Sequence, residues 1–169
     1  MIFVPLGTQA MDFTRCLKML DEMILHYDIK EEVIAQMGNS NYQSDNFKIV
    51  SFLPEEDFKK YIADASVVIS HAGSGALFNA IKSHKKLIAV ARLKLYHEMV
   101  DDHQTELVRK LSEEGYILDG TNSLIDAWAR LEDFEPREND FTCEISKAIS
   151  SKLEECFGRE LNKEKDGKI

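Results

Sequence analysis

The stretch SHAGSG, residues 70–75, sets a histidine, two glycines and a serine where an apolar run ends and a helical pattern begins. Gly73 and Gly75 let the backbone approach a ligand closely, and the first N–H groups of a helix have no partner inside it. Such a turn attracts anions, phosphates among them, with roughly 0.3–2 kcal/mol from the helix dipole. Ser74 adds a hydroxyl and His71 a ring donor. The spacing is neither G-x-G-x-x-G nor the Walker pattern, so it reads equally as a tight strand-to-helix turn with Ser74 as N-cap.

The distribution of charge tips the balance towards an anion. Between Asp64 and Glu98 lie 33 residues without an Asp or Glu, while the same interval holds Lys82, Lys85, Lys86, Arg92 and Lys94, a formal +5 in a chain of net charge −9. Arg92 follows the next strand and is expected at the ligand end of the sheet, as the phosphate partner of the set. Lys82, Lys85 and Lys86 belong at the far end of the helix and are expected to face solvent, lipid headgroups or a partner. Downstream, 97-HEMVDDHQ-104 gathers two His, three carboxylates and a Gln. The carboxylates are read as helix caps and not as metal ligands, because no further His or Cys is near in sequence. Gln104, neutral with both donor and acceptor, suits sugar hydroxyls. No metal and no cofactor is expected.

These residues require an alternating frame. Ile2 to Pro5 reads as a buried strand ending at Gly7-Thr8, and Asp12 to His26 has helical spacing. Glu32 to Met37 and Phe47 to Phe52 are further strands, Pro54 opens a helix, and Val67 to Ser70 and Leu87 to Ala91 are continuously apolar, as buried parallel strands are. A helix from Met99 to Glu114, a strand from Tyr116 to Leu118 and a helix from Ser123 to Leu131 continue the alternation. The class predicted is α/β: a single Rossmann-like domain with a mostly parallel sheet flanked by helices. It takes in residues 1–157, including a C-terminal amphipathic helix over 141–157, and leaves 158–169 as a frayed tail.

Composition narrows the classes further. The chain has 169 residues, 44% hydrophobic and 30% charged, which suits one folded core. A net charge of −9 argues against a nucleic-acid partner, since that contact needs many cations. Three cysteines without C-x-x-C spacing argue against a disulfide framework and fit a reducing cytoplasm. No apolar run approaches the ~20 residues of a membrane span, and MIFVPLG lacks the form of a signal peptide.

The runs ADASVVISHAGSGALFNAI and LIAVARLKLYHEMVDDHQTELVRKLSEEGYI, with the opening IFVPLGTQAMDF, resemble the C-terminal, donor-binding domain of family 28 glycosyltransferases. Within that family the likeness is to stand-alone small subunits of N-glycan assembly and of bacterial exopolysaccharide and capsule synthesis, over roughly residues 1 to 120. The resemblance implies half of a GT-B enzyme. It implies the catalytic subunit of a two-component, metal-independent inverting hexosyltransferase, moving galactose, glucose or N-acetylglucosamine from a UDP-sugar to a polyprenyl-diphosphate-linked acceptor. The acceptor sits mainly on a membrane-anchored partner subunit, which holds this chain at the inner face of the membrane; the amphipathic helix 141–157 is expected either to dock on it or to pack on the core. Carried over residue by residue, His71, Gly73, Ser74 and Gly75 hold the diphosphate, Asn79 the ribose, His103 and Gln104 the donor sugar, and Gly7 and Thr8 line the cleft towards the acceptor. No residue is assigned as the general base, which is expected from the partner. Asn79 stands where the family has a Glu, Ala76 replaces a Thr, and SHKK replaces a Gly-Lys-Pro-like turn. These departures point to weaker nucleotide binding, or to the alternative of a degenerate, non-catalytic partner subunit; an unrelated doubly wound module is the third reading.

Overall fold

The computed structural model describes residues 1–137; the expected helix over 141–157 and the tail 158–169 lie outside the described residues. The described residues alternate as β1 (Ile2–Pro5), α1 (Thr14–His26), β2 (Val33–Gln36), β3 (Lys48–Val50), α2 (Glu55–Asp64), β4 (Val67–His71), α3 (Ser74–Lys82), β5 (Lys86–Val90), α4 (His103–Glu113), β6 (Leu118–Asp119) and α5 (Leu124–Ala129). The strands form one sheet in the order β3-β2-β1-β4-β5-β6, and every pairing is parallel. After β3 the chain returns to pair β4 against the free side of β1. That reversal opens a crevice at the carboxyl ends of β1 and β4, where α/β sheets bind ligands.

Both sheet faces are covered, which is why β1 and β4 are buried along their whole length. On one face Ile2, Val4, Leu6, Val33, Ala35, Ile69, Ile88 and Val90 pack with Leu17, Leu20, Met23 and Ile24 of α1 and with Leu124 and Ala127 of α5. On the other, Phe3 stacks on Tyr61 at 5.4 Å and meets Phe58 edge-on at 5.6 Å, both from α2. Each such side chain contributes about 1.5–3 kcal/mol by burial.

Three expectations change. Helix α4 starts at His103 and not at Met99, because the Glu98 side chain is drawn beneath the preceding loop and His97 takes a left-handed conformation (φ 57°). A single 3-10 turn, Lys94–Tyr96, occupies the loop instead. Lys85 and Lys86 are not free basic groups. Lys85 Nζ donates to the Ala63 carbonyl at the end of α2, at 2.5 Å, and Lys86 Nζ to the carbonyls of Leu131 and Glu132 beyond α5, at 3.0 and 3.1 Å. Cations at helix C-termini offset the negative end of the dipole, so these two charges serve the fold. Among the described residues no helix is long and apolar enough to cross a membrane.

Candidate anion-binding site

Strands β1 and β4 each end in a turn at the crevice, and His71 stands between the turns. Its Nδ1 lies 3.1 Å from the Pro5 carbonyl, which can only accept, so Nδ1 carries the proton. Burial pushes the imidazole pKa down to about 4, and the Arg92 charge pushes the same way, so the ring is neutral near pH 7 with Nε2 bare. His71 is therefore not the ring donor that the sequence suggested. Its Nε2 faces the two glycines instead. A Cβ on Gly7, at φ 83°, would lie 2.7 Å from Nε2 and one on Gly73 2.2 Å from it, so each glycine makes room for the ring.

The pKa shift sets a pH dependence. The folded value lies below the unfolded one of about 6.5, so the unfolded chain binds the extra proton in between. The stabilisation is complete above pH ~6.5 and is lost as pH falls towards 4, by at most about 3 kcal/mol. Urea titrations across pH 4–7 check this: His71→Asn should flatten the slope, and an unchanged slope would remove His71 as its source.

Gly73 is the N-cap of α3 in extended conformation, with no side chain bonded across the cap, and the first turn has no acidic residue. Ser74, expected as the cap, is instead the first helical residue. The N–H groups of Ser74, Gly75 and Ala76 are the orphans of this terminus. Gly75 is exposed, and a Cβ there would meet nothing within 4 Å. One turn on, Asn79 donates its amide to the Gly75 carbonyl at 3.0 Å, which leaves Oδ1 to accept from a ligand hydroxyl.

The loop from β1 to α1 supplies a second row of donors that the sequence reading reduced to Gly7 and Thr8. Arg92 takes the carbonyls of Leu6, Met11 and Asp12, and Asn39 takes those of Thr8 and Gln9. Among the described residues, the N–H groups from Gly7 to Asp12 donate to no acceptor. A loop whose carbonyls are taken and whose amides are unclaimed has donors to offer an anion. Successive amides leave no mark in sequence; the two glycines flanking His71 are the nearest signal.

Arg92 does not reach the phosphate position it was assigned. It is 1% exposed, its guanidinium lies 4.4 Å from the Phe13 ring centroid, and NH1 and NH2 are committed to carbonyls at 2.9–3.4 Å. Its Nε is buried without a partner. Arg92 holds the floor of the site and its backbone N–H holds Gln104, whose Oε1 accepts it at 3.0 Å. The amide NH2 of Gln104 is the end that donates to no acceptor among the described residues. His103 is half exposed, 3.7 Å from Asp101. The neighbouring carboxylates close turns instead of capping α4 through its N-cap: Asp101 accepts from His103 N and Asp102 from Lys94 N. Among the described residues no group of three His, Cys, Asp or Glu side chains is placed to hold a metal. Phe52, read from sequence as the end of a strand, lies beyond the edge strand β3 and is 53% exposed.

The sequence model described as Glycosyltransferase family 28 C-terminal domain matches residues 1–151. The UDP-N-acetylglucosamine transferase subunit ALG13 of Candida glabrata is 30% identical over 130 residues, 73% of this chain and 62% of the relative. The Homo sapiens protein of that name is 28% identical over 126 residues, 69% of this chain and 10% of the relative. The chain thus spans less than two thirds of the length of these relatives. Among solved structures, the NMR solution structure of ALG13 is similar at TM-score 0.58 and 17% identity, over 87% of this chain and 92% of that one. The crystal structure of Acinetobacter baumannii MurG is similar at TM-score 0.52 and 17% identity, over 78% of this chain and 40% of that one. The fold is that of one Rossmann-like half of a GT-B glycosyltransferase, and the chain belongs to the family of glycosyltransferase family 28 C-terminal domains.

Proposed function

We propose that this chain is the UDP-sugar-binding, catalytic subunit of a two-component inverting glycosyltransferase that works without a metal. The observation that carries the reading is the pair of donor rows at the β1–β4 crevice, the first turn of α3 and the loop from Gly7 to Asp12, with no acidic residue in that first turn. As the bond from the anomeric carbon to the diphosphate breaks, charge develops on the leaving oxygen, and fixed N–H groups stabilise it without reorganisation. Asn79 meets the ribose, and Gln104 with His103 the donor sugar. The names of the relatives favour N-acetylglucosamine over galactose or glucose. We assign the acceptor, a polyprenyl-diphosphate-linked sugar, and the general base to a membrane-anchored partner subunit, which would hold this chain at the cytoplasmic face.

Calorimetric titration of UDP and of UDP-N-acetylglucosamine into the purified protein tests the reading, followed by a transfer assay with a co-expressed membrane partner. One-to-one binding and partner-dependent transfer are expected. Absence of both from a folded protein would overturn it. The second reading, a non-catalytic subunit, draws on Asn79, whose amide is already bonded to Gly75 and which offers one neutral acceptor in place of a carboxylate. Nucleotide binding with no transfer in the complex would favour it.

A further inference from the structure

Glu98 is the buried carboxylate of the described core, 3% exposed, and the donor-site reading gives it no part. Its Oε1 and Oε2 accept from Nε and NH2 of Arg15, both at 2.9 Å, a two-pronged pairing. Oε2 also accepts from Leu93 N at 2.9 Å, and the Glu98 carbonyl accepts from Arg92 NH1 at 3.4 Å. Arg15 in turn donates to the carbonyls of Ala91 and Thr121, each at 2.7 Å. The segment that these bonds fix runs from the end of β5 to Gln104. Arg92 anchors its start and the Asp102 carboxylate, which accepts from Lys94 N at 3.2 Å, ties its middle. Of its large apolar side chains, Leu95, Tyr96 and Val100 are 78%, 54% and 67% exposed and Leu93 and Met99 half-buried, so apolar burial fixes its middle only weakly. The guanidinium–carboxylate group thus fixes the course of the loop that leads from the Arg92 N–H to the Gln104 amide bonded to it.

We propose that Glu98, acting through Arg15 and Arg92, is the positioning residue for the sugar end of the donor site. It touches neither sugar nor phosphate. It holds the loop from Leu93 to Gln104 at the height where the Gln104 amide meets a hydroxyl of the donor sugar, while the diphosphate is held by the first turn of α3 and by the loop from Gly7 to Asp12, whose carbonyls are taken by Arg92 and not by the Glu98 side chain. This rests on the donor-site reading above, and it divides the site into a phosphate part that does not depend on Glu98 and a sugar part that does.

The division is read by comparing two ligands on one variant. Glu98→Gln keeps the shape and loses the charge that fixes Arg15. It should raise the calorimetric Kd for UDP-N-acetylglucosamine about tenfold, the worth of one well-placed hydrogen bond, and leave the Kd for UDP within about twofold. Arg15→Lys, which keeps Glu98 paired but loses the two-pronged geometry, supplies the same comparison should Glu98→Gln fail to fold. Glu98→Asp should restore part of the selectivity. Equal weakening for both ligands would mean a structural role only, and no change for either would mean that the network does not place Gln104; each overturns the proposal. A wild type that binds UDP but gains or loses nothing with the sugar attached overturns it too, while one that binds neither ligand removes the donor-site reading on which it stands.

Discussion

Gly75→Asp should leave the protein at least as stable as the wild type and weaken UDP binding about 100-fold or more. The position is exposed, and a Cβ there meets nothing within 4 Å, so the substitution adds charge without collision. A carboxylate in the first turn of a helix is favourable by about 0.3–1 kcal/mol, and replacing a helical glycine removes an entropic cost of similar size. The free protein therefore gains slightly. The bound state does not. Two unit charges about 4 Å apart repel by about 4 kcal/mol at the effective dielectric of a protein surface. Discounting that for exposure to about 3 kcal/mol still gives a factor near 100. Melting temperature and UDP calorimetry on the one variant separate the two effects, and undiminished binding would remove the start of α3 from the site. Gly73→Asp, the variant that the glycine motif suggests first, cannot separate them, because its Cβ would lie 2.2 Å from the His71 imidazole.

Arg92→Met should cost about 3–5 kcal/mol of unfolding free energy, with a melting temperature lower by about 10 °C. Methionine fills much of the space over Phe13 but leaves the carbonyls of Leu6, Met11 and Asp12 without their donor, and the loop from β1 to α1 loses the brace on one side. Arg92→Lys should lie between the two, since an ammonium keeps the charge but cannot span several carbonyls at once. Urea unfolding decides. A variant that kept full stability and lost only UDP affinity would return Arg92 to the phosphates.

The alternation of strands and helices is legible in the sequence because β1, β4 and β5 are buried on both faces and read as continuous apolar runs, with a glycine turn after β1 and β4. The place of the site is legible for the same reason: SHAGSG closes a buried strand next to the reversal of strand order. The role of Arg92 is not, since an arginine directly after a strand looks alike whether it points at a ligand or is folded under a loop. What decides is Phe13 and three carbonyls about 80 residues earlier. Glu98 is hidden in the same way. Its local spacing fits a helix start, and Arg15, 83 residues distant, together with the Leu93 N–H, draws it out of that pattern. The protonation of His71 follows from Pro5, whose carbonyl is placed by the pairing of β1 with β4 and not by anything near residue 71.

The lysines at 85 and 86 bonded to helix-end carbonyls, and Arg92 bonded to loop carbonyls, bear on how this site can vary over generations. Three of the five cations in the acid-free stretch are fastened to the scaffold, so attraction at the crevice rests on peptide groups, which every residue but proline carries. Side chains around the two turns are then free to drift without erasing it. While Arg92 keeps its brace on the loop, three kinds of change are forbidden: a proline that deletes an amide, a carboxylate that opposes the field, and a bulky side chain where the imidazole needs its two glycines. Descendants of this chain should keep their small residues more faithfully than their charged ones.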